Sequence, residues 1–231
     1  MKLIGILGGL SWESSAEYYR LLNESVKKRL GGLSSARCVM YSFDFAPIVR
    51  AEEADDLEEV ARQLLVGISA VEEAGAEFLI IACNSVHMVA DLFEPRMRIP
   101  LLHIVDPTGE TIRARGLRTV GLLGTGYTMG KPFYRERLSK KFGVKALVPD
   151  EGERRDVHRI IFEELCVGAV REESRRRFRE VMEGLRRRGA EGIVLGCTEL
   201  PTLISERDTE LPLFNSTQLH VEAALELAMG K

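Results

Sequence analysis

Amide side chains are scarce: three Asn and two Gln stand beside 35 acidic and 32 basic residues in a chain of 231. A bias of this kind is found in heat-stable proteins, though it has other origins too. No segment supplies the roughly 20 consecutive apolar residues that span a bilayer, which argues against a membrane protein. The amino terminus runs straight into an apolar stretch and lacks the basic, apolar and small-residue regions of a signal peptide, so the expected compartment is the cytoplasm. There the four cysteines, at 38, 83, 166 and 197, would be thiols, and none forms a Cys-x-x-Cys pair. The net charge is only −3, and the Arg-rich run from Arg171 to Glu180 is interleaved with Glu. That is the pattern of a solvated helix face, so no nucleic-acid partner is expected.

What the chain does contain is a repeat. Ala76-Glu77-Phe78-Leu79-Ile80-Ile81-Ala82-Cys83-Asn84-Ser85 is matched 114 residues on by Ala190-Glu191-Gly192-Ile193-Val194-Leu195-Gly196-Cys197-Thr198-Glu199. Upstream, Lys2 to Gly8 matches Arg118 to Gly124, and downstream Ile99 to His103 matches Leu211 to Asn215. Three blocks in the same order mean a duplicated half, and 231 residues suit two domains of about 110 each.

Short apolar runs ending in Gly or Cys alternate with longer segments of helical period, as in a parallel sheet covered by helices. Strands are expected at Leu3 to Leu7, Cys38 to Phe43, Phe78 to Ala82, Thr119 to Leu123, Val144 to Val148 and Gly192 to Gly196. Helices are expected at Ser14 to Leu30, Leu57 to Ala74, Lys131 to Phe142, Val157 to Val167, Glu172 to Arg188 and Gln218 to Met229. The fold class is therefore α/β, with two similar doubly wound parallel-sheet domains related by pseudo-twofold symmetry and joined near Asp106-Pro107-Thr108. Ligands of such sheets bind beyond the carboxyl ends of the strands. Both glycine turns and both repeated cysteines fall at those ends, so the expected site lies in the cleft between the halves.

Cys83 and Cys197 each follow a buried strand and precede polar residues able to open a helix. Unpaired backbone amides at a helix start stabilise a thiolate and hold a carboxylate. Recurrence in both halves outweighs the alternative that these are ordinary small core residues. Cys38, within a strand, and Cys166, on an apolar face with Ile160, Ile161 and Leu165, are expected to be packing residues. The turns Gly5-x-x-Gly8-Gly9 and Gly121-x-x-Gly124-Thr125-Gly126 fit neither the dinucleotide fingerprint nor a P-loop, which leaves tight strand-to-helix turns that can approach a small anion. Thr125 and Thr128 supply hydroxyls there. His87, four residues after Cys83, has no further ligands near it, so it is expected to pack or to orient the loop rather than hold a metal. Trp12 either walls the pocket or is a half-buried packing residue. His103, His158 and His220 look isolated.

Ile4-Gly5-Ile6-Leu7-Gly8-Gly9-Leu10-Ser11-Trp12-Glu13-Ser14, Cys83-Asn84-Ser85-Val86-His87, Gly121-Leu122-Leu123-Gly124-Thr125 and Leu195-Gly196-Cys197-Thr198-Glu199-Leu200 resemble the aspartate/glutamate racemase family, in its aspartate racemase branch. The resemblance implies a cofactor-independent amino-acid racemase with no pyridoxal phosphate and no metal, assembled as a homodimer. Its domains would be residues 1–105 and 106–208, with 209–231 packing back on the first. Cys83 and Cys197 become the acid/base pair. Asn84, Ser85, Thr198 and Glu199 would surround the amino-acid moiety, with Ser11 and Thr125 of the glycine turns added to the substrate-binding set. Arg50 is the candidate to receive a side-chain carboxylate. Two positions depart from the family pattern: Val167 stands where relatives place Lys or Arg, and Glu52 stands at a loop position where some have a neutral amide.

The expected reaction is inversion of the α-carbon by a two-base mechanism, on aspartate or glutamate with broad tolerance. One thiolate removes the proton and one thiol delivers another to the opposite face, while backbone amides hold the carboxylate as charge develops. The alternatives are a related cysteine chemistry (hydantoin-type racemisation, maleate-type isomerisation or malonate-type decarboxylation) or a non-catalytic binding protein on the same fold.

Overall fold

The computed structural model describes residues 1–230. The chain divides into two compact units, Met1–Ile104 with His220 onward, and Val105–Leu219. In the first, β1 (Ile4–Gly8) leads to α1 (Trp12–Leu30), β2 (Cys38–Ser42), α2 (Phe45–Glu53), α3 (Leu57–Glu73) and β3 (Phe78–Ile81), followed by a 3-10 turn over Ser85–Val89 and a short α4 (Ala90–Phe93). The second contains α5 (Val105–Ala114), β4 (Thr119–Gly124), α6 (Gly126–Gly130), α7 (Phe133–Phe142), β5 (Lys145–Leu147), α8 (Glu151–Glu163), α9 (Glu172–Arg187), β6 (Ile193–Gly196), α10 (Leu200–Leu203) and β7 (Leu213–Asn215). Helix α11 (Ser216–Met229) then carries the chain back to the first unit at His220. Residues 209–219 thus belong to the second unit.

Both sheets are parallel and share one strand order, β2-β1-β3 and β5-β4-β6-β7. Period-two alternation sorts the side chains of the first sheet onto two faces. Ile4, Ile6, Phe78 and Ile80 bury against Tyr18, Leu22 and Val26 of α1 and Val221, Ala224 and Leu225 of α11. Leu7, Leu79 and Ile81 bury against Ile48 of α2 and Val60, Leu64 and Ile68 of α3. In the second sheet Leu123, Ile193 and Leu195 pack with Val157 and Ile161 of α8 and Phe178 and Leu185 of α9. The equivalent glycines of the two central strands sit where a helix crosses closest. A Cβ at Gly5 would stand 3.2 Å from Val71 of α3, and one at Gly121 2.8 Å from Leu185 of α9.

The repeat reaches individual backbone bonds. Leu79 N–H donates to the Pro100 carbonyl at 2.9 Å, and Ile193 N–H donates to the Pro212 carbonyl at 2.9 Å. In the second unit this pairing grows into β7, in register Ile193↔Leu213, whereas in the first it stops at a single bridge, Leu79↔Leu101.

Several local expectations are corrected. Helices α2 and α5 contain Pro47 and Pro107, which hide the helical pattern in the sequence yet sit in the first turn, where no intrahelical N–H bond is lost. Glu52 is therefore helical rather than in a loop, and the join at Asp106-Pro107-Thr108 is itself helix. The helix expected from Val157 begins six residues earlier, at Glu151, behind a capping box in which Asp150 and Glu153 each accept the other's backbone N–H. It ends at Glu163, leaving Cys166 and Val167 in a 3-10 turn over Leu165–Val167. No helix among the described residues is long and apolar enough to cross a membrane.

Candidate active site

In each unit the third strand of the motif delivers a cysteine to the carboxyl end of the sheet. Cys83 lies two residues beyond Ile81, the last position of β3 to pair with β1. Its thiol is 3.3 Å from Ser85 Oγ, and Ser85 Oγ–H donates to Glu52 Oε1 at 3.4 Å. Burial pushes the thiol up to about 11, the negative charge of Glu52 adds to this, and the Ser85 hydroxyl and the Val86 and Ser85 backbone amides partly offset it. Glu52 is 4% exposed, and burial lifts its carboxyl to about 7 against the pull of the Ser85 hydroxyl. A buried carboxylate of α2 is thus wired to the thiol through one hydroxyl.

Cys197 lies directly beyond β6, whose Gly196 pairs with Gly124 of β4, so Thr125 and Cys197 leave neighbouring strands side by side. Cys197 Sγ–H donates to Glu199 Oε2 at 2.8 Å, and Thr198 Oγ1–H donates to the same oxygen at 2.7 Å. Burial, then the charge of Glu199, then its hydrogen bond hold this thiol well above its usual range, while the Glu199 backbone amide pulls the other way. Thr125 caps α6, its Oγ1 accepting from Thr128 N–H at 3.3 Å. The next residue, Gly126, donates its N–H to His158 Nδ1 at 3.0 Å. That bond leaves His158 as a neutral acceptor at Nδ1, in keeping with the downward push of burial on its pKa. His158 thus supports the glycine turn, a role its position in the sequence does not reveal.

The remaining candidates separate. Asn84 and Ser85 are buried beside Cys83. Ser11 lies at the end of the first glycine turn, where its hydroxyl caps α1 by accepting from Ser14 N–H at 3.2 Å. Arg50 is exposed on α2. It is two residues before Glu52, and a helix turns about 200° over that interval, so the two side chains leave α2 on opposite sides. Trp12 is 71% exposed, which removes the reading of it as half-buried packing. Val167 is also 71% exposed. Cys166 packs against the core that contains Cys197, and Cys38 against the one that contains Ile4 and Phe78.

His87 is not alone. His87 Nε2 accepts from Ile104 N–H at 3.4 Å, which leaves Nδ1–H to donate to the Cys83 carbonyl at 2.9 Å. The ring braces the cysteine's backbone, and both nitrogens are engaged. It meets the tilted ring of His103 at 4.6 Å between centroids and lies 6.0 Å from His220, whose Nε2–H donates to the Leu102 carbonyl and whose Nδ1 accepts from the Tyr18 hydroxyl. Three histidines far apart in sequence therefore share one buried cluster. Among the described residues, no three His, Cys, Asp or Glu side chains are gathered so as to hold a metal.

By its similarity to known proteins the chain falls in a class, the amino-acid racemases, which are isomerases. The chain belongs to the Asp/Glu/Hydantoin racemase family, whose model matches residues 7–224. A Yersinia pestis protein provisionally described as an Asp/Glu racemase is 42% identical, with 99% of this chain and 100% of that one covered at a TM-score of 0.93. An aspartate racemase homologue from Pyrococcus horikoshii OT3 is 34% identical, with 99% and 100% covered at a TM-score of 0.87. The broad specificity amino-acid racemase RacX of Bacillus subtilis strain 168 is 22% identical over 223 residues, 93% of each chain.

Proposed function

We propose that this protein inverts the α-carbon of amino acids with two cysteines as its acid and base, without an organic cofactor. The observation that carries the reading is the repetition of a thiol and a carboxylate at the same point of two parallel sheets, Cys83 with Glu52 through Ser85 and Cys197 with Glu199. One thiolate takes the α-proton, leaving its electron pair on the α-carbon and the substrate carboxylate, and the other thiol delivers a proton to the opposite face. The roles exchange for the other enantiomer. An α-proton is far less acidic than an ordinary thiol, so burial that raises the thiol pKa makes a scarcer but stronger base and narrows that gap. The residues we assign to the amino-acid moiety are Asn84 and Ser85 beside Cys83 and Thr125, Thr198 and Glu199 beside Cys197, with the backbone amides after each cysteine to receive negative charge. Ser11 contributes by shaping the first glycine turn.

The substrates we assign are aspartate and glutamate, poorly discriminated from neutral and basic amino acids. Support comes from the aspartate racemase homologue and the broad-specificity racemase among the relatives, together with a distal cation weakened by Val167 and by the outward Arg50. The assembly we assign is a homodimer, as the family resemblance implies, and the compartment is the cytoplasm expected from the sequence. Incubation of single enantiomers in deuterated water tests the reaction: loss of optical rotation with deuterium at the α-carbon is expected. Binding of amino acids with no α-exchange would make the chain a binding protein, and turnover of a 5-substituted hydantoin alone would move it to that chemistry.

A further inference from the structure

Glu52 is buried on the inner side of α2 with no Lys or Arg paired to it among the described residues. Leaving a carboxylate unpaired in such a place is costly, and groups kept at that cost concentrate at working sites. The repeat shows what it replaces. Glu199 stands two residues after Cys197, and the residue two after Cys83 is Ser85, so the first unit has a hydroxyl where the second has a carboxylate. The missing carboxylate is supplied from 33 residues upstream by Glu52, and the serine spans the gap.

The hydrogen bonds also have a direction. Ser85 Oγ–H donates to Glu52, so Ser85 Oγ is left to accept from the Cys83 thiol 3.3 Å away. We propose that Glu52 is a proton-relay residue for Cys83, acting through the Ser85 hydroxyl as Glu199 acts directly on Cys197. In the forward step Cys83 S–H passes its proton to Ser85 Oγ while the Ser85 proton passes to Glu52 Oε1. A thiolate, an intact hydroxyl and a carboxylic acid replace a thiol, a hydroxyl and a carboxylate, with no change in net charge. The reverse step re-protonates Cys83 after it has given its proton to substrate. The charge of Glu52 also acts on Cys83, holding its thiol up beyond what burial does. This deepens the two-thiol reading and rests on it.

The test uses Glu52→Gln and Ser85→Ala in the full chain, with two independent readouts. The first is the pH profile of iodoacetamide alkylation at Cys83, followed by mass spectrometry. Loss of the neighbouring negative charge in Glu52→Gln should let the thiolate form at lower pH and speed alkylation at pH 8 about three- to tenfold. The second is α-hydrogen exchange in deuterated water in a Cys197→Ala background, where Cys83 is the remaining base. Exchange there should fall at least about tenfold in both variants, and by a factor about ten larger than the same changes cause in a Cys83→Ala background. General disordering would speed alkylation of every cysteine and slow both backgrounds alike, which would overturn the relay. So would an unchanged Cys83 alkylation profile in Glu52→Gln. Absence of exchange in both single-cysteine parents, with Glu52 intact, would refute the two-thiol mechanism instead, and the alkylation profile would still decide whether Glu52 governs Cys83.

Discussion

Glu52 makes a quantitative prediction about stability that does not depend on catalysis. Burial lifts its carboxyl from an ordinary 4.5 to about 7. At pH 4 the group is protonated in native and unfolded chains alike and contributes no pH-dependent term. Between pH 4.5 and 7 the unfolded chain releases this proton while the native chain keeps it, so native stability falls as pH rises, and above pH 7 the full cost is present. The gap corresponds to about 3 kcal/mol at 1.36 kcal/mol per pKa unit. Gln has nearly the same shape, its carbonyl can still accept from the Ser85 hydroxyl, and it has no proton to lose. Glu52→Gln should therefore match the natural protein near pH 4 and exceed its stability by about 3 kcal/mol at pH 8. Urea unfolding can be followed by the fluorescence of Trp12, the chain's one tryptophan, which lies in the same unit as Glu52. With an m-value of about 1–3 kcal/mol/M, the midpoint should move up by about 1–3 M at pH 8. A difference of the same size at both pH values, or one that grows toward acid, would mean that Glu52 is not a carboxyl held neutral by burial.

Cys83→Ala and Cys197→Ala should each abolish racemisation, while Cys38→Ala and Cys166→Ala keep turnover and cost roughly 1 kcal/mol of packing, and full activity in either of the first pair would refute the assignment. Glu199→Gln removes the charge at 2.8 Å from Cys197 while keeping a neutral carbonyl acceptor, so its thiolate should form at lower pH; an unmoved alkylation profile at Cys197 would show that the charge of Glu199 does not govern the thiol. Val167→Lys restores a cation at an exposed position beside Cys166, and a charge-assisted hydrogen bond of about 1.5–3 kcal/mol should raise kcat/KM for aspartate and glutamate relative to alanine and lysine by roughly ten- to a hundredfold. No change in that ratio would mean that position 167 does not meet the side chain.

The six main strands and the two candidate cysteines were legible in the amino-acid sequence because each is a local pattern, and the duplication because those local patterns recur in the same order. A buried parallel strand is a short apolar run, and a residue that recurs at its end in both halves needs no partner to be noticed. Hidden from view were α2 and α5, whose pattern Pro47 and Pro107 mask, the four- and five-residue helices α4, α6 and α10, too short to show a period, and β7, whose three residues are a strand because Ile193, Val194 and Leu195 of β6 pair with them. The neighbourhoods of the cysteines were legible in one unit and not in the other. Glu199 follows Cys197 by two residues, so its carboxylate could be anticipated, whereas Glu52 meets Ser85 across 33 residues and read as a loop departure. The same separation concealed the meeting of His87, His103 and His220, and the support His158 gives to Gly126. Periodicity records which face of an element is buried, but which side chains meet on that face depends on how helices from distant parts of the chain pack over the sheet, and that is decided only when the chain folds.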